Sequence, residues 1–482
     1  MQFRIISKVL GLMMMIFSLT LLTPIAIAAI YGENTYQAFF FSFAITFSLG
    51  MLLWLPYSRT KGDLRTRDGF VITTLFWTVL SLVGSLPFIL VDAIHLHFTD
   101  AVFESISGLT TTGATVITGL DYLPKSILYY RQQLHWLGGI GIVVIAIAIM
   151  PMLGVGGMQL YKAETPGPVK DNKMTPRITQ TAKALFTIYL SLTIICSFAY
   201  WLAGMNTFDA ITHAFSTIAT GGFANYDASI GYFNSPTIMM LAVFFMIISG
   251  ISFGLHYYAW VKGSVLHYWH NSESKMYLNM IVGGCIICCG YLFLSGALSL
   301  TDSLLHGVFQ LVSIMTSTGF ATTNYSNWPT FLPVFLVVLS FFGACAGSTG
   351  GGIKVGRMLI LAKQSLREIY RLIHPSAIFP IKLRNRTVPE RVADSVWAFF
   401  GVYLAIFYFL VILLQLTGLD YLTAWSCTAA ALNNLGPGLG DAAAHYGEIN
   451  SMAKWLLSAA MIIGRLEIFT VLVLFTPMFW RR

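Results

Sequence analysis

Residues 313–325 read SIMTSTGFATTNY, a run of small hydroxyl-bearing residues around Gly319 inside a chain that is otherwise strongly apolar. The 482-residue sequence is 56% hydrophobic and only 10% charged, and its mean hydropathy is +0.73. No water-soluble core could take up that much apolar surface and still leave a polar exterior. The composition therefore predicts an integral membrane protein, within which this polar stretch requires an explanation.

The stretch belongs to the third of four clusters that share one pattern. Each cluster begins with an acidic residue, continues through a short apolar stretch and ends in small polar residues with a glycine. The clusters read DAVFESISGLTTTGATV from residue 100, DAITHAFSTIATGGFAN from 209, DSLLHGVFQLVSIMTSTGFAT from 302 and DYLTAWSCTAAALNNLGPGLGD from 420. Their aligned glycines at 113, 222, 319 and 436 are 109, 97 and 117 residues apart (222 − 113, 319 − 222 and 436 − 319). This regular self-similarity predicts four repeats.

Apolar windows of about twenty residues predict ten transmembrane spans. They lie near 9–30, 36–56, 70–91, 127–150, 184–204, 236–259, 277–297, 331–360, 395–416 and 454–478. Lysines and arginines concentrate in alternate connections, at 59–67, 162–183, 262–275 and 363–391. By the positive-inside rule, these connections and both termini are cytoplasmic. Orientation in a lipid bilayer therefore explains the net charge of +8, and nucleic acid is not an expected partner.

The apolar stretch before each aligned glycine is too short to cross a bilayer at about 1.5 Å per residue, so we expect a helix that enters partway and turns back. The acidic residue at its start suits a helix N-terminus. The negative C-terminal ends of four such helices would stabilise a desolvated cation. Non-helical backbone at that depth must be covered by protein or line a water-filled path, and glycine reaches positive φ without steric cost. The clusters therefore predict a cation pathway lined by backbone oxygens.

The four clusters resemble a known family when they are taken together with GACAGSTGGGIKVGRM at 343–358 and GRLEIFTVLVLF at 464–475. The whole chain is similar to the TrkH/TrkG family of potassium uptake proteins, within the Trk/Ktr/HKT superfamily of cation transporters. The resemblance implies an all-α polytopic membrane fold, with four M1-P-M2 pseudo-repeats (membrane helix, pore helix with loop, membrane helix) around one central pore. Two N-terminal helices at 1–66 would precede four repeats, at 67–160, 161–262, 263–375 and 376–482. The second helix of the third repeat would be broken.

The resemblance also implies that potassium is the transported substrate and that three residues of each cluster hold it through their carbonyl oxygens. These residues are Thr111, Thr112, Gly113, Thr220, Gly221, Gly222, Ser317, Thr318, Gly319, Asn434, Leu435 and Gly436. The fourth cluster replaces hydroxyl residues with asparagines and a leucine, so we expect asymmetric ion sites. One aligned glycine per cluster predicts fewer carbonyl rings than a TVGYG filter has, and hence only a moderate preference for potassium over sodium.

The glycine-rich segment at 343–354 interrupts the eighth predicted span. It does not match a phosphate-binding loop, because Ile353 and not glycine precedes Lys354. Two interpretations remain open: a close-packed kink between helices or, as the resemblance implies, a flexible gate below the four loops. The residues assigned to gating are Gly347, Ser348, Thr349, Gly350, Gly351, Gly352, Lys354 and Arg465.

Charged residues in the last span and beside the first cluster also need an interpretation. Arg465 lies in the last apolar span, where it either pairs within the bundle or, as the resemblance implies, faces the conduction path as an electrostatic barrier. Glu467 lies two residues later and would point elsewhere on a helix. Glu104 and Asp121 flank the first cluster, where they either attract cations to the outer mouth or are solvated loop charges.

A channel-like pore explains four re-entrant repeats that all enter from one side of the membrane. A proton- or sodium-coupled potassium symporter remains the alternative, although such proteins usually carry inverted repeats and a midplane carboxylate. An enzyme is not expected, since HExxH and paired intramembrane aspartates are absent from the sequence. The resemblance further implies a bacterial inner-membrane location, a homodimer and a cytoplasmic TrkA-type nucleotide-binding subunit, with no organic cofactor in this chain.

Overall fold

Helices make up most of the computed structural model, which describes residues 1–60, 65–94, 96–153, 178–383 and 386–481, with backbone alone at 66, 142–153, 178–181 and 386. The helices are α1 (Phe3–Thr20), α2 (Leu22–Tyr31), α3 (Tyr36–Trp54), α4 (Thr66–Gly84), α5 (Leu86–Leu90), α6 (Phe98–Leu109), α7 (Lys125–Leu153), α8 (Ile178–Leu202), α9 (Thr207–Ala219), α10 (Pro236–Ser249), α11 (Phe253–Lys262), α12 (Leu266–His270), α13 (Ser272–Leu294), α14 (Leu300–Met315), α15 (Leu332–Phe342), α16 (Val355–Ile373), α17 (Glu390–Leu416), α18 (Tyr421–Leu432), α19 (Ser451–Arg465), α20 (Phe469–Leu472) and α21 (Pro477–Trp480). The predicted all-α class is confirmed.

A small hairpin and several short 3₁₀ helices complete the described elements. Strands β1 (Lys382–Leu383) and β2 (Arg386–Thr387) pair antiparallel, with Lys382 opposite Thr387. The 3₁₀ helices are Leu55–Tyr57, Leu120–Tyr122, Ser229–Phe233, Tyr325–Asn327, Gly440–Ala442 and Val473–Phe475. The predicted boundary between residues 160 and 161, and the basic residues Lys162, Lys170, Lys173 and Arg177, lie outside the described residues.

The described residues contain six helices that are long and apolar enough to span a membrane, or up to eight if each bent pair is one span. The six run Phe3–Tyr31, Tyr36–Tyr57, Arg67–Leu90, Ala182–Leu202, Ser272–Leu294 and Glu390–Leu416. A further predicted span corresponds to α7, whose side chains are described only to residue 141. The span predicted at 331–360 is divided, since α15 ends at Phe342 and α16 begins at Val355. The chain is a multi-pass membrane protein.

Two spans that the sequence predicts to be continuous are sharply bent, so the prediction is wrong on this point. The axis turns by 92° between α10 and α11, and by 105° between α19 and the helical turn that follows it. At the second bend Glu467 and Ile468 have φ values of 54° and 49°. A right-handed helix requires negative φ, so the helix ends before these two residues. Hydropathy windows measure only apolar content and do not detect such a break.

Helix packing places the four short helices α6, α9, α14 and α18 at the centre of the bundle. Each packs against the long helix before it and the one after it: α4 and α7 for α6, α8 and α10 for α9, α13 and α15 for α14, and α17 and α19 for α18. Each short helix also contacts the last long helix of the neighbouring group: α6 contacts α19, α9 contacts α7, α14 contacts α10 and α18 contacts α15. Because α6 contacts α19, the four groups close into a circle.

The first two spans lie outside this circle and pack closely on each other. Gly11 of α1 faces Gly50 of α3, where an added Cβ on Gly11 would lie 2.5 Å from the Gly50 carbonyl oxygen. Small residues at such crossings let two backbones approach within van der Waals distance. The pair contacts the bundle through α1 against α4, α2 against α7 and α3 against α5.

Candidate functional site

The four short helices begin as the sequence predicts, with an acidic residue at each N-terminus. The side chain of Asn206 caps α9 by accepting the backbone N–H of Asp209 at 2.8 Å. Asp420 itself caps α18, and the hydroxyl and N–H of Thr423 together with the N–H of Leu422 hold its pKa below the ordinary value. The acids of the first turn are Asp100, Asp209 and Asp302. Negative charge there complements the positive end of the helix dipole.

The four short helices end in turns of one backbone conformation, named here turn 1 (111–113), turn 2 (220–222), turn 3 (317–319) and turn 4 (434–436). The first residue of each turn has a φ of 56°, 52°, 56° and 50°, and the terminal glycine has a φ of 81°, 84°, 84° and 96°. The N–H of the middle residue donates to the carbonyl five residues earlier, at 2.9, 2.9, 2.8 and 2.8 Å. The backbone of turn 4 therefore follows the other three although its side chains differ.

The turns meet in a ring, in the order 1, 2, 3, 4 and back to 1. The last glycine of each turn faces the carbonyl oxygen of the middle residue in the next turn. A Cβ added at Gly113 would lie 2.0 Å from the Gly221 oxygen, and one added at Gly222 would lie 2.0 Å from the Thr318 oxygen. A Cβ added at Gly319 would lie 2.2 Å from the Leu435 oxygen, and one added at Gly436 would lie 2.6 Å from the Thr112 oxygen. Any side chain would displace these carbonyls, so the ring requires glycine at each contact.

The structure brings all twelve predicted pathway residues into this ring, but several of their side chains have structural partners. The hydroxyl of Thr112 in turn 1 bonds to that of Thr110 at 2.8 Å, and the hydroxyl of Thr318 in turn 3 bonds to that of Thr316 at 2.7 Å. In turn 4 the side-chain amide of Asn434 donates to Thr112 Oγ1 at 3.0 Å. These contacts hold the shape of the turns, which leaves the backbone carbonyls as the candidate ligands.

The sequence analysis missed the role of the first residue in each turn. Thr111, Thr220, Ser317 and Asn434 all lie in the left-handed region. L-residues avoid this region at a cost of roughly 1–2 kcal/mol, and β-branched threonine is especially unfavourable there. Such strain is concentrated at functional sites. The only sequence signal for these residues is their fixed position two residues before the aligned glycine.

The segment 343–354 packs directly against the turns. Thr349 Oγ1 lies 3.2 Å from the hydroxyl of Thr220 in turn 2. The N–H of Gly351 donates to Ser317 Oγ of turn 3 at 2.5 Å. A Cβ on Gly351 would lie 1.9 Å from the carbonyl oxygen of Asn433, beside turn 4. A single segment thus contacts three neighbouring parts of the ring.

The ends of this segment are held by hydrogen bonds. Glu273 on α13 accepts the N–H of Ala346 at 2.6 Å and that of Gly356 at 3.0 Å. Lys354 donates through its ammonium group to the carbonyl of Gly350. The other assigned residues are Gly347 and Gly352, with φ of 76° and 80°, and Ser348, whose hydroxyl donates to Cys345 at 2.6 Å. Glu273 was not among the predicted residues, because its partners lie about 70 or more positions away in sequence.

Arg465 joins turn 1 to this segment. Its Nη1 donates to Thr111 Oγ1 at 3.1 Å and to the carbonyl of Thr349 at 3.2 Å, while Nη2 donates to the carbonyl of Gly138 at 2.6 Å. The two interpretations of Arg465 are therefore compatible, since the guanidinium is bonded to backbone within the bundle and also contacts the ring.

Two other predicted charges have partners that change their interpretation. Glu467 forms an ion pair with Arg357 on α16. Glu104 is completely buried and pairs with Arg131 at 2.8 Å, so the prediction of a charge at the outer mouth or in a solvated loop is wrong. Burial of an ionised carboxylate requires such a partner. Asp121 is exposed, as expected of a loop charge.

Comparison with known proteins gives one consistent result. The TrkH family, described as cation transport protein, matches residues 35–288 and 291–482. The chain is 53% identical to the Trk system potassium uptake protein TrkH of Halomonas elongata over 482 residues, which is the whole of both chains. It is 41% identical to the Trk system potassium uptake protein TrkG of Escherichia coli over 478 residues, 99% of each chain.

A solved structure shows the same fold. The crystal structure of the potassium transporter TrkH from Vibrio parahaemolyticus aligns with a TM-score of 0.91 and 49% sequence identity, and covers 100% of both chains. Both the sequence and the fold identify a transporter and not an enzyme. The chain therefore belongs to the TrkH family of cation transport proteins.

Proposed function

We propose that this protein takes up potassium across a bacterial inner membrane through a channel-like pore. The proposal rests on the ring of four turns. In this ring the carbonyl oxygens of Thr112, Gly221, Thr318 and Leu435 each lie against the terminal glycine of the neighbouring turn. The twelve residues of turns 1 to 4 form the selectivity filter. Backbone carbonyl rings replace the hydration shell of a potassium ion.

Two further observations support a cation as the substrate. The short helices α6, α9, α14 and α18 end at the turns, so the negative ends of their dipoles favour positive charge there. Relatives of at least 50% identity over the whole chain are named potassium uptake proteins. Potassium is therefore the transported substrate.

The remaining parts of the proposal concern control and assembly. The segment 343–354 and Arg465 obstruct the pathway below the ring and move when it opens. We further propose that both termini are cytoplasmic and that the chain is divided into the four predicted repeats. The relatives are called Trk system proteins, which suggests several components. Two copies of the chain pair as a homodimer and bind a cytoplasmic TrkA-type nucleotide-binding subunit.

Cation flux into proteoliposomes that contain only the purified chain tests the transport proposal. We expect flux that follows an imposed voltage, prefers potassium, rubidium and caesium over sodium and lithium, and does not change with a pH gradient. Empty liposomes supply the background. Flux that requires a pH or sodium gradient would instead establish the coupled symporter, the second candidate function.

Shortening the segment tests its role as a gate. Deletion of residues 347–350 should raise potassium flux about tenfold, which corresponds to a barrier lower by about 1.4 kcal/mol. The ratio of potassium to sodium flux should change little. A four-residue deletion in the exposed connection 375–378 serves as the control. If the first deletion leaves flux unchanged, the segment is a packed kink and not a gate.

A further inference from the structure

A buried ion pair lies behind the ring, between turn 1 and turn 2. Glu104 of α6 accepts Nε of Arg131 from α7 at 2.8 Å, and both side chains are almost wholly excluded from solvent. The Glu104 carboxylate also accepts the N–H of Val116 at 2.9 Å and the hydroxyl of Thr115 at 3.0 Å. Thr115 and Val116 follow Gly113 after one intervening residue, so the carboxylate holds the outgoing limb of turn 1, meaning the segment that follows its terminal glycine.

The guanidinium of the same pair bonds to the outgoing limbs of both turn 1 and turn 2. Nη2 of Arg131 donates to the hydroxyl of Thr115 at 3.0 Å, and Nη1 donates to the carbonyl of Ala224 at 3.1 Å. The face of the guanidinium lies 4.1 Å from the ring centroid of Phe223. Phe223 and Ala224 immediately follow Gly222. One rigid, planar group is thus bonded to the outgoing limbs of turn 1 and turn 2 at once.

The corresponding positions in the other three repeats have no such charged group. Nine residues before each aligned glycine stand Glu104, His213, Gln310 and Cys427. His213 accepts only a long bond of 3.4 Å from the N–H of Asn225, and the buried amide of Gln310 has no hydrogen-bond partner among the described residues. The ionic connection therefore joins the outgoing limbs of turns 1 and 2 and is not repeated at the three equivalent positions.

We propose that the Glu104/Arg131 pair is a specificity-determining brace that fixes the spacing of turns 1 and 2 and so sets the preference for potassium over sodium. The proposal rests on the filter function proposed above. The fields of the two opposite charges largely cancel at distances greater than their separation, so the pair acts through position and not through a net charge at the pathway. Arginine suits this role because its fork reaches several acceptors in fixed directions, which lysine does not do.

Arg131→Lys is the decisive variant, because it retains the charge and removes the fork. We expect the potassium-to-sodium permeability ratio, measured in proteoliposomes, to fall about threefold or more. The double variant Glu104→Gln/Arg131→Gln, which removes both charges, should lower the ratio in the same direction. Lys454→Met is the matched control, since it removes another buried cation, which pairs with Asp100 and contacts no turn. The potassium-to-sodium permeability ratio of this control variant should match that of the wild type.

A permeability ratio reports only on molecules that conduct, so partial misfolding does not imitate the expected change. Should Arg131→Lys fail to conduct, thermal unfolding in detergent supplies the second measurement. Potassium should stabilise the wild type more than sodium does, and the variant should lose this difference. A wild-type ratio in Arg131→Lys, or an undiminished difference in stabilisation, would overturn the brace. If the wild type itself carries no potassium flux, the proposed function fails instead.

Discussion

Gly222→Ala is expected to abolish the preference for potassium and to reduce potassium flux by about tenfold or more. The new Cβ would lie 2.0 Å from the carbonyl oxygen of Thr318, a separation that real Cβ atoms do not show. Gly222 also has a φ of 84°, which strains any other residue. Turn 2 or turn 3 must shift, and the carbonyl of Thr318 then leaves its position in the ring. Radioactive or fluorescent flux assays with potassium and sodium measure both effects.

Gly283→Ala is the matched control for this variant. Gly283 lies in α13, where an added Cβ meets no atom within 4 Å. Alanine favours a helix over glycine, so this variant should fold and transport like the wild type. If Gly222→Ala conducts with unchanged selectivity while remaining folded, the ring of carbonyls does not select the ion.

Arg465→Ala should produce the second large effect, an increase of about tenfold in potassium flux through the chain alone. The guanidinium contacts Thr111 in the ring and Thr349 in the segment 343–354. Its removal takes a positive charge from the side of the ring and releases one attachment of the segment. Both changes lower the barrier to a cation, since like charges repel strongly where water is scarce.

Arg465→Lys separates these two causes. It keeps the charge but loses the planar fork that reaches several acceptors together. Flux close to the wild type in this variant would assign the barrier to charge, whereas a rise equal to that of alanine would assign it to the lost attachment. Size-exclusion chromatography and thermal unfolding monitor folding. A folded Arg465→Ala protein without increased flux would contradict a barrier role.

Local sequence patterns were sufficient to predict the helical architecture. Hydropathy located the long helices, and the four clusters predicted short helices with acidic N-termini, which Asp209 and Asp420 illustrate. The aligned glycines were identified from the pattern that the four clusters share. These features depend on residues close together in sequence, such as apolar windows, caps and positions that need positive φ. Repetition made the prediction stronger, because four copies support the same assignment.

What the sequence by itself determined is therefore the membrane class, the helices and the alignment of the four turns. Tertiary structure alone decided the partners of the charged residues and the bends of α10 and α19. Arg465 and Thr111 are 354 residues apart, and Arg131 and Ala224 are 93 apart. Buried charges take whichever partner packing brings within hydrogen-bond distance. Sequence periodicity carries no information about such long-range contacts, so the brace behind the ring could be found only in the folded protein.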